Sequence, residues 1–293
     1  MLFFSCFFVI CLILSVCFGI IISVIILFFG ENMMFSVKKA VSKFRKIYEF
    51  KFLFRCAVLI ASLIVLCVAP EQYDIMEGWN FFKSFSVFHI LWVIWLADML
   101  LQIFPSRKFL PIGSTKFSLK DFVPAEIKNI RNVQNLVEYI KKCNRDTIKI
   151  GLAWFVLCAA VGALYFTGII DRNILLLFSV AFYVCDLICV LFWCPFRVWF
   201  MKNRCCTTCR IFNWDHMMMF SPLVFVPGFF TWSLCAGAVI VLVIWEVSFA
   251  LHPERFYEGT NEALKCCNCT DRLCGERNCH AVIPSIDNIT KGI

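Results

Sequence analysis

The sequence predicts an all-α, polytopic membrane protein of six spans, with a further broken or re-entrant helix before Gly228. Three observations carry that expectation. Of the 293 residues 61% are hydrophobic and only 16% charged, and the mean hydropathy is +0.81. Several apolar runs reach the roughly 20 residues that cross a hydrocarbon core. The net charge of +8 is gathered into a few stretches rather than spread evenly. One soluble core cannot bury so much apolar surface. Charge collected in loops orients a chain in a bilayer, so the expected partners are lipid and anionic headgroups, not nucleic acid.

Taken in order, residues 1–29 form an anchor, whose apolar run Leu2–Phe29 lacks the basic start and small-residue cleavage site of a secretory signal. Residues 30–51 are a basic amphipathic segment, with Val37, Val41, Phe44 and Tyr48 at helical spacing and lysines opposite. Residues 52–104 are a helical hairpin of spans Phe52–Ala69 and Phe85–Phe104, joined by an acidic loop around Glu71, Asp74 and Glu77. Residues 105–149 are a long basic loop in which Ile127, Ile130, Val133, Val137 and Ile140 recur at helical spacing beside Lys128, Arg131, Lys141 and Lys142. Such segments lie on an anionic leaflet or pack on the ends of the spans. Asp146 is the expected N-cap of the next span.

Residues 150–194 form a second hairpin, Ile150–Ile170 and Ile174–Cys194, turning at Asp171-Arg172. Its first helix carries Gly151, Ala159, Ala160, Gly162 and Ala163, which let neighbours approach closely. Residues 195–216 are a cysteine-bearing loop, 217–251 a broken membrane helix, and 252–293 a cysteine-rich tail. The two basic stretches belong in the cytoplasm of a plasma-membrane protein, which places the N-terminus outside and Cys205 to Cys209 inside. About 35 residues of unbroken helix after Met217 would reach roughly 50 Å, well past the core, so Pro222, Pro227 and Gly228 are where it breaks. If the part before Gly228 is re-entrant, the tail lies outside. If Ile211 to Val226 crosses fully, the tail is cytoplasmic.

The 19 cysteines divide into two populations. Those inside apolar runs, such as Cys56, Cys67, Cys158 and Cys235, behave as small hydrophobes. Cys205, Cys206 and Cys209 form one polar cluster, and Cys266, Cys267, Cys269, Cys274, Cys279 and His280 another. Cys206 and Cys209 form a C-x-x-C, which lets one turn present two thiolates to a zinc or iron atom, or lets the pair form a reactive disulfide. Cys194 before Pro195 lies nearby, and Arg204 and Arg210 flank the pair with the positive charge that favours thiolate. Cys266 and Cys269 repeat the spacing. The economical arrangement is a joint metal site of zinc or an iron–sulfur cluster, drawing on Cys205, Cys206, Cys209, Cys266, Cys269 and Cys274. An external tail favours disulfides instead, and makes Asn268 and Asn288 glycosylation sequons.

His89, Asp98, Asp186 and Glu246 are ionisable residues inside apolar runs, where charge is costly and usually marks a pathway or a partnered site. Asp98 and Asp186 fall at matching depth, roughly two turns from the cytoplasmic ends, so they can face each other. His89 and Glu246 fall near the outer surface by the same count. Cys185, Asp186 and Cys189 share one helical face. Asp215, His216 and the methionines 217–219 add soft-metal ligands or plain apolar packing.

The run from Met201 to Phe220, with Cys205-Cys206-Thr207-Thr208-Cys209-Arg210 at its centre, resembles a segment of uncharacterised bacterial multi-span membrane proteins. His252-Pro253-Glu254-Arg255-Phe256 and the cysteine tail resemble their ends. The resemblance covers the C-terminal third and implies that the two clusters belong together, without implying a reaction, substrate or cofactor.

The expected function is a cysteine-ligated metal centre at the cytoplasmic membrane surface, with a structural, sensing or electron-relay role. One alternative is a transporter of a cation or small solute using Asp98 and Asp186. A second is a thiol oxidoreductase using Cys206 and Cys209. No serine, histidine and carboxylate constellation nominates a hydrolase.

Overall fold

A computed structural model describes residues 43–104, 117–118, 122–125, 130–203, 205–269 and 273. The expected span Leu2–Phe29, residues 30–42, most of 105–129, Arg204, Cys274, Cys279, His280 and Asn288 lie outside these. The described residues are helical, with no strand among them; two isolated bridges are the only β-type pairings.

The principal helices are α1 (Lys43–Val68), α2 (Phe88–Ile103), α3 (Ile130–Phe166), α4 (Arg172–Leu191), the short α5 (Asp215–Phe220) and α6 (Phe229–Leu251). Four of them, α1, α3, α4 and α6, are long and apolar enough to cross a membrane by length and composition, while α2 has 16 residues. Six spans are therefore not established. The outward faces of α1, α3 and α6 expose Ile60, Ile64, Phe155, Val156, Ile240 and Val243, a surface that suits lipid rather than water. α4 is the central helix, with Leu175, Leu176, Val180 and Val184 wholly buried.

Apolar runs set the helix positions to within a few residues, but polar boundaries differ from expectation. α1 and α3 both begin well before their apolar runs, so the amphipathic and spanning segments are single helices. Nothing between Ile130 and Ile150 breaks the pattern: the stretch holds neither Gly nor Pro. Asp146 is consequently not an N-cap. It is a buried mid-helix residue paired with Lys149 Nζ at 3.3 Å and Arg145 Nε at 3.6 Å.

One end of the bundle, here the acidic end, carries the turn Pro70–Met76, Gly78, Gly168 and Gly228. Gly78 N–H donates to Pro227 O and Phe229 N–H to Gly78 O, each at 2.9 Å. A side chain at Gly228 would place its Cβ 1.9 Å from Met76 O, so only glycine permits this approach. The opposite, basic end carries Arg45, Lys141, Arg145 and Arg210.

Between these ends, residues 210–226 make a crossing that is not a continuous helix. A 3₁₀ turn (Arg210–Trp214), α5, a second 3₁₀ turn (Ser221–Phe225) and extended Val226 follow one another. The stretch runs alongside α3: Arg210 bonds Asn144, Trp214 lies against Gly151, Trp154 Nε1–H donates to Ser221 Oγ at 2.9 Å, and Phe225 covers Gly162 and Phe166. From Asn144 to Phe166 α3 rises about 33 Å. The 3₁₀ rise of about 2.0 Å per residue lets so short a stretch cover that depth. Phe220, Leu223 and Val226 are wholly buried, so the irregular backbone is shielded by protein.

The expected alternatives are thereby separated: the segment before Gly228 joins the two ends rather than turning back. α6 then returns, and the tail folds at the basic end. Phe256 packs among Phe117, Trp245 and Phe249, its carbonyl accepts from Tyr139 Oη at 2.9 Å, and Glu262 N–H donates to Val123 O at 2.8 Å. The tail and Cys205 to Cys209 therefore share one end of the molecule.

Candidate thiol centre and the buried charge cluster beside it

α4 presents Cys185, Asp186 and Cys189 towards the crossing segment and ends just before Cys194-Pro195. Proline cannot continue the helix ladder, and a π turn over Phe196–Met201 follows, closed by Lys202 in a left-handed conformation with φ of 48°. That turn folds the chain back, so the 3₁₀ turn Cys206–Thr208 returns beneath the end of α4. Cys206 Sγ donates to Cys189 O at 3.1 Å. The Cys194 sulfur accepts from Arg197 N–H at 3.4 Å. Cys189, Cys194 and Cys206 thus line one cavity.

The neighbouring Cys189 thiol, and then Cys206, lower the pKa of Cys194 against the opposing effect of burial, because they favour its thiolate. The neighbouring Cys194, and then burial, push the Cys206 thiol up. Burial pushes Cys209 up to about 12. Cys194 is thus the thiol of the loop that ionises first.

These thiols line a cavity of about 240 Å³ with Cys185, Cys209, Trp154, Phe182, Trp193, Phe196 and Met218 among its walls. Arg210 fixes the loop above it. Its guanidinium bonds Asn144 on α3 and Glu246 on α6 and lies 3.9 Å over the Phe249 ring, while Trp214 Nε1–H donates to Glu246 Oε1 at 2.8 Å. Glu246 consequently sits at the basic end, not near the acidic end where α6 starts; reading the segment before Gly228 as re-entrant misplaces it.

Of the expected metal ligands, Cys206 and Cys209 line the cavity and Cys205, Cys266 and Cys269 do not. Cys205 Sγ instead contacts Thr207 Oγ1 at 3.1 Å. The fourteen described cysteines are free of disulfides. Among the described residues, no group of three or more His, Cys, Asp or Glu side chains is already arranged as a metal shell. Sharing of one site by the loop and the tail has no counterpart in the cavity, whose remaining thiols come from α4 and its end.

Asp98 and Asp186 lie on either side of Arg55, a residue that sequence reasoning passed over. Its Nη1 donates to Asp186 Oδ2 and to Tyr183 O, each at 2.7 Å, and its Nη2 lies 3.8 Å from Asp98 Oδ2. The guanidinium carbon sits 3.8 Å over the Tyr183 ring, whose hydroxyl donates to Asp98 Oδ2 at 3.0 Å. Gln102 Nε2 donates to Asp215 Oδ1 at 3.0 Å, and His216 Nδ1 lies 3.2 Å from the same oxygen without hydrogen-bond alignment. Asp186 and Asp215 line both the thiol cavity and a smaller polar cavity of about 40 Å³ bounded by Arg55, Asp98, Gln102 and His216. The signal for Arg55 was present: it is an arginine inside the apolar run Phe52–Ala69.

His89 belongs to a local turn at the acidic end. Its Nδ1 lies 3.0 Å from both the N–H and the carbonyl oxygen of Ser86, and its Nε2 lies 2.8 Å from Phe81 O. Phe85 stacks on the ring. Those contacts give it a structural role.

No family model, curated protein or solved structure matches the chain.

Proposed function

We propose that the chain is a multi-pass plasma-membrane protein that binds a thiophilic metal ion through Cys189, Cys194 and Cys206, with Cys209 as the nearest further thiol. The observation that supports this reading is that Cys189, Cys194, Cys206 and Cys209 line one cavity. In a tetrahedral zinc–thiolate site the sulfurs stand about 3.8 Å apart, as zinc–sulfur bonds of about 2.3 Å require. Among the described residues the thiols are not yet gathered to that spacing, so metal entry draws them together. Arg45, Lys141, Arg145 and Arg210 at this end support a cytoplasmic placement beside anionic headgroups, and Glu71, Asp74 and Glu77 at the other end support an outside one.

Metal analysis of protein purified without oxygen tests the reading. One zinc per chain, retained in Cys205→Ser and Cys266→Ser and lost in Cys194→Ser, is expected. Less than about a tenth of an equivalent in the wild-type protein refutes it.

The transporter reading is less well supported. Arg55 fills the space between Asp98 and Asp186 that a transported cation needs, and supplies a fixed positive charge there.

A further inference from the structure

The charged residues on the walls of the thiol cavity are all of one sign. The space of about 240 Å³ is bordered by Asp186 and Asp215 and, among the described residues, by no Lys, Arg or His. Both carboxylates stand between this space and the smaller polar cavity, and the basic groups around them, Lys51, Arg55 and His216, line the smaller cavity and not this one. Five aromatic side chains, Trp154, Phe182, Trp193, Phe196 and Phe212, form much of the remaining wall. Trp193 is also exposed, so the wall reaches the surface of the bundle.

Each class of ligand meets a different balance there. An anion is repelled by the carboxylates. A neutral apolar molecule gains from the rings but strips water from the carboxylates without replacing it. A small inorganic cation must give up hydration for which the rings supply no oxygen. A cation with apolar substituents gains on both sides, because its charge faces the carboxylates, its substituents lie on the rings, and the ring faces attract the charge as well. We therefore propose that the cavity binds a small organic ammonium ion carrying aryl or alkyl groups, with its charge toward Asp215 and Asp186. Asp215 is the stronger anchor. Asp186 already holds the Arg55 guanidinium at 2.7 Å, whereas among the described residues Asp215 pairs with no Lys or Arg, its Oδ1 having the Gln102 amide at 3.0 Å and the His216 ring at 3.2 Å. Neither a bound metal nor a thiol reaction is needed for this binding.

The test is equilibrium dialysis of radiolabelled phenyltrimethylammonium against the full chain in lipid nanodiscs, with empty nanodiscs measuring uptake by lipid. The protein is reduced, stripped with a chelator and separated from both reagents, so the outcome is independent of the metal content measured in untreated protein. A saturable site is expected. tert-Butylbenzene, which has carbon in place of the ammonium nitrogen and keeps the shape, should displace the label at least about tenfold less effectively than unlabelled phenyltrimethylammonium, and so should benzenesulfonate. Asp215→Asn should weaken binding about tenfold and Trp193→Leu about threefold, while Trp79→Leu and Trp232→Leu, in the aromatic groove at the acidic end, should leave it unchanged. No saturable site, displacement by tert-butylbenzene as effective as by the cation, or binding kept in Asp215→Asn and lost in Trp232→Leu each overturns the proposal. The isostere comparison is made on wild-type protein, so a variant that fails to fold leaves the test intact.

Discussion

Arg55→Met should cost about 3–5 kcal/mol of stability, the range for removing one partner of a buried ion pair. In the wild-type protein the guanidinium makes two bonds of 2.7 Å, approaches Asp98 at 3.8 Å, and covers the Tyr183 ring. Each charge-assisted bond contributes about 1.5–3 kcal/mol net, and because the contacts share one group their sum is not the loss. Methionine fits the space but leaves Asp186 without its cation in a low-dielectric interior, and that uncompensated carboxylate dominates. Adding Asp186→Leu should therefore recover at least about 2 kcal/mol relative to Arg55→Met alone, since Asp98 keeps the Tyr183 hydroxyl. Unfolding by sodium dodecyl sulfate in mixed micelles, followed by tryptophan fluorescence, measures all three proteins. If Arg55→Met unfolds at the wild-type detergent fraction, or if the double variant is less stable than Arg55→Met, the reasoning about this cluster fails.

Three further outcomes follow from the crossing and the thiols. Gly228→Ala places a methyl carbon 1.9 Å from Met76 O, so it should destabilise by about 3 kcal/mol or more in the same assay, whereas Gly168→Ala, with open space around it, should cost only the strain of its left-handed backbone, about 1–2 kcal/mol. Gly162→Leu drives a side chain into the Phe225 ring, 2.5 Å from the position of a Cβ; a loss of about 1–3 kcal/mol is expected, relieved by adding Phe225→Ala. Alkylation of Cys194 by iodoacetamide should persist as pH falls below the ordinary thiol range, because a lowered pKa keeps the thiolate populated there. Cys189→Ala and Cys206→Ala remove the donors and should raise that pKa, slowing alkylation at pH 6. Unchanged pH profiles, read by mass spectrometry, would contradict the thiol arrangement.

Hydropathy made the helices legible because lipid-facing and core-facing residues are both apolar in this chain. Phe85–Phe104 and Ile174–Cys194 differ from α2 and α4 only at their ends. Polar boundaries were less legible. Asp146 has the local signature of a cap, yet Lys149 and Arg145 satisfy it inside a helix that no breaker interrupts. The prolines before Gly228 correctly mark a break, but whether the chain turns or crosses depends on partners along α3, above all the room left by Gly151 and Gly162 for Trp214 and Phe225. A glycine records that something approaches, not what.

The candidate site was legible in pieces. Cys185, Asp186 and Cys189 share a face by periodicity alone, and Cys206 and Cys209 announce themselves by spacing. What joins them is the π turn after Pro195, a backbone excursion with no reliable signature in composition, and it substitutes α4 for the tail as the partner of the loop. Arg55 was overlooked for the opposite reason. Its neighbours in sequence are apolar, and its carboxylate partners lie on two other helices more than forty residues away.

Cobalt titration tests the central claim most directly, because thiolate-to-cobalt charge-transfer absorption reports how many sulfurs bind one ion. The apo protein is expected to take up one equivalent with strong charge-transfer bands, and each of Cys189→Ser, Cys194→Ser and Cys206→Ser should weaken them, while Cys205→Ser and Cys269→Ser leave them unchanged. Bands that survive loss of Cys194, or that vanish with the tail cysteine, would contradict it.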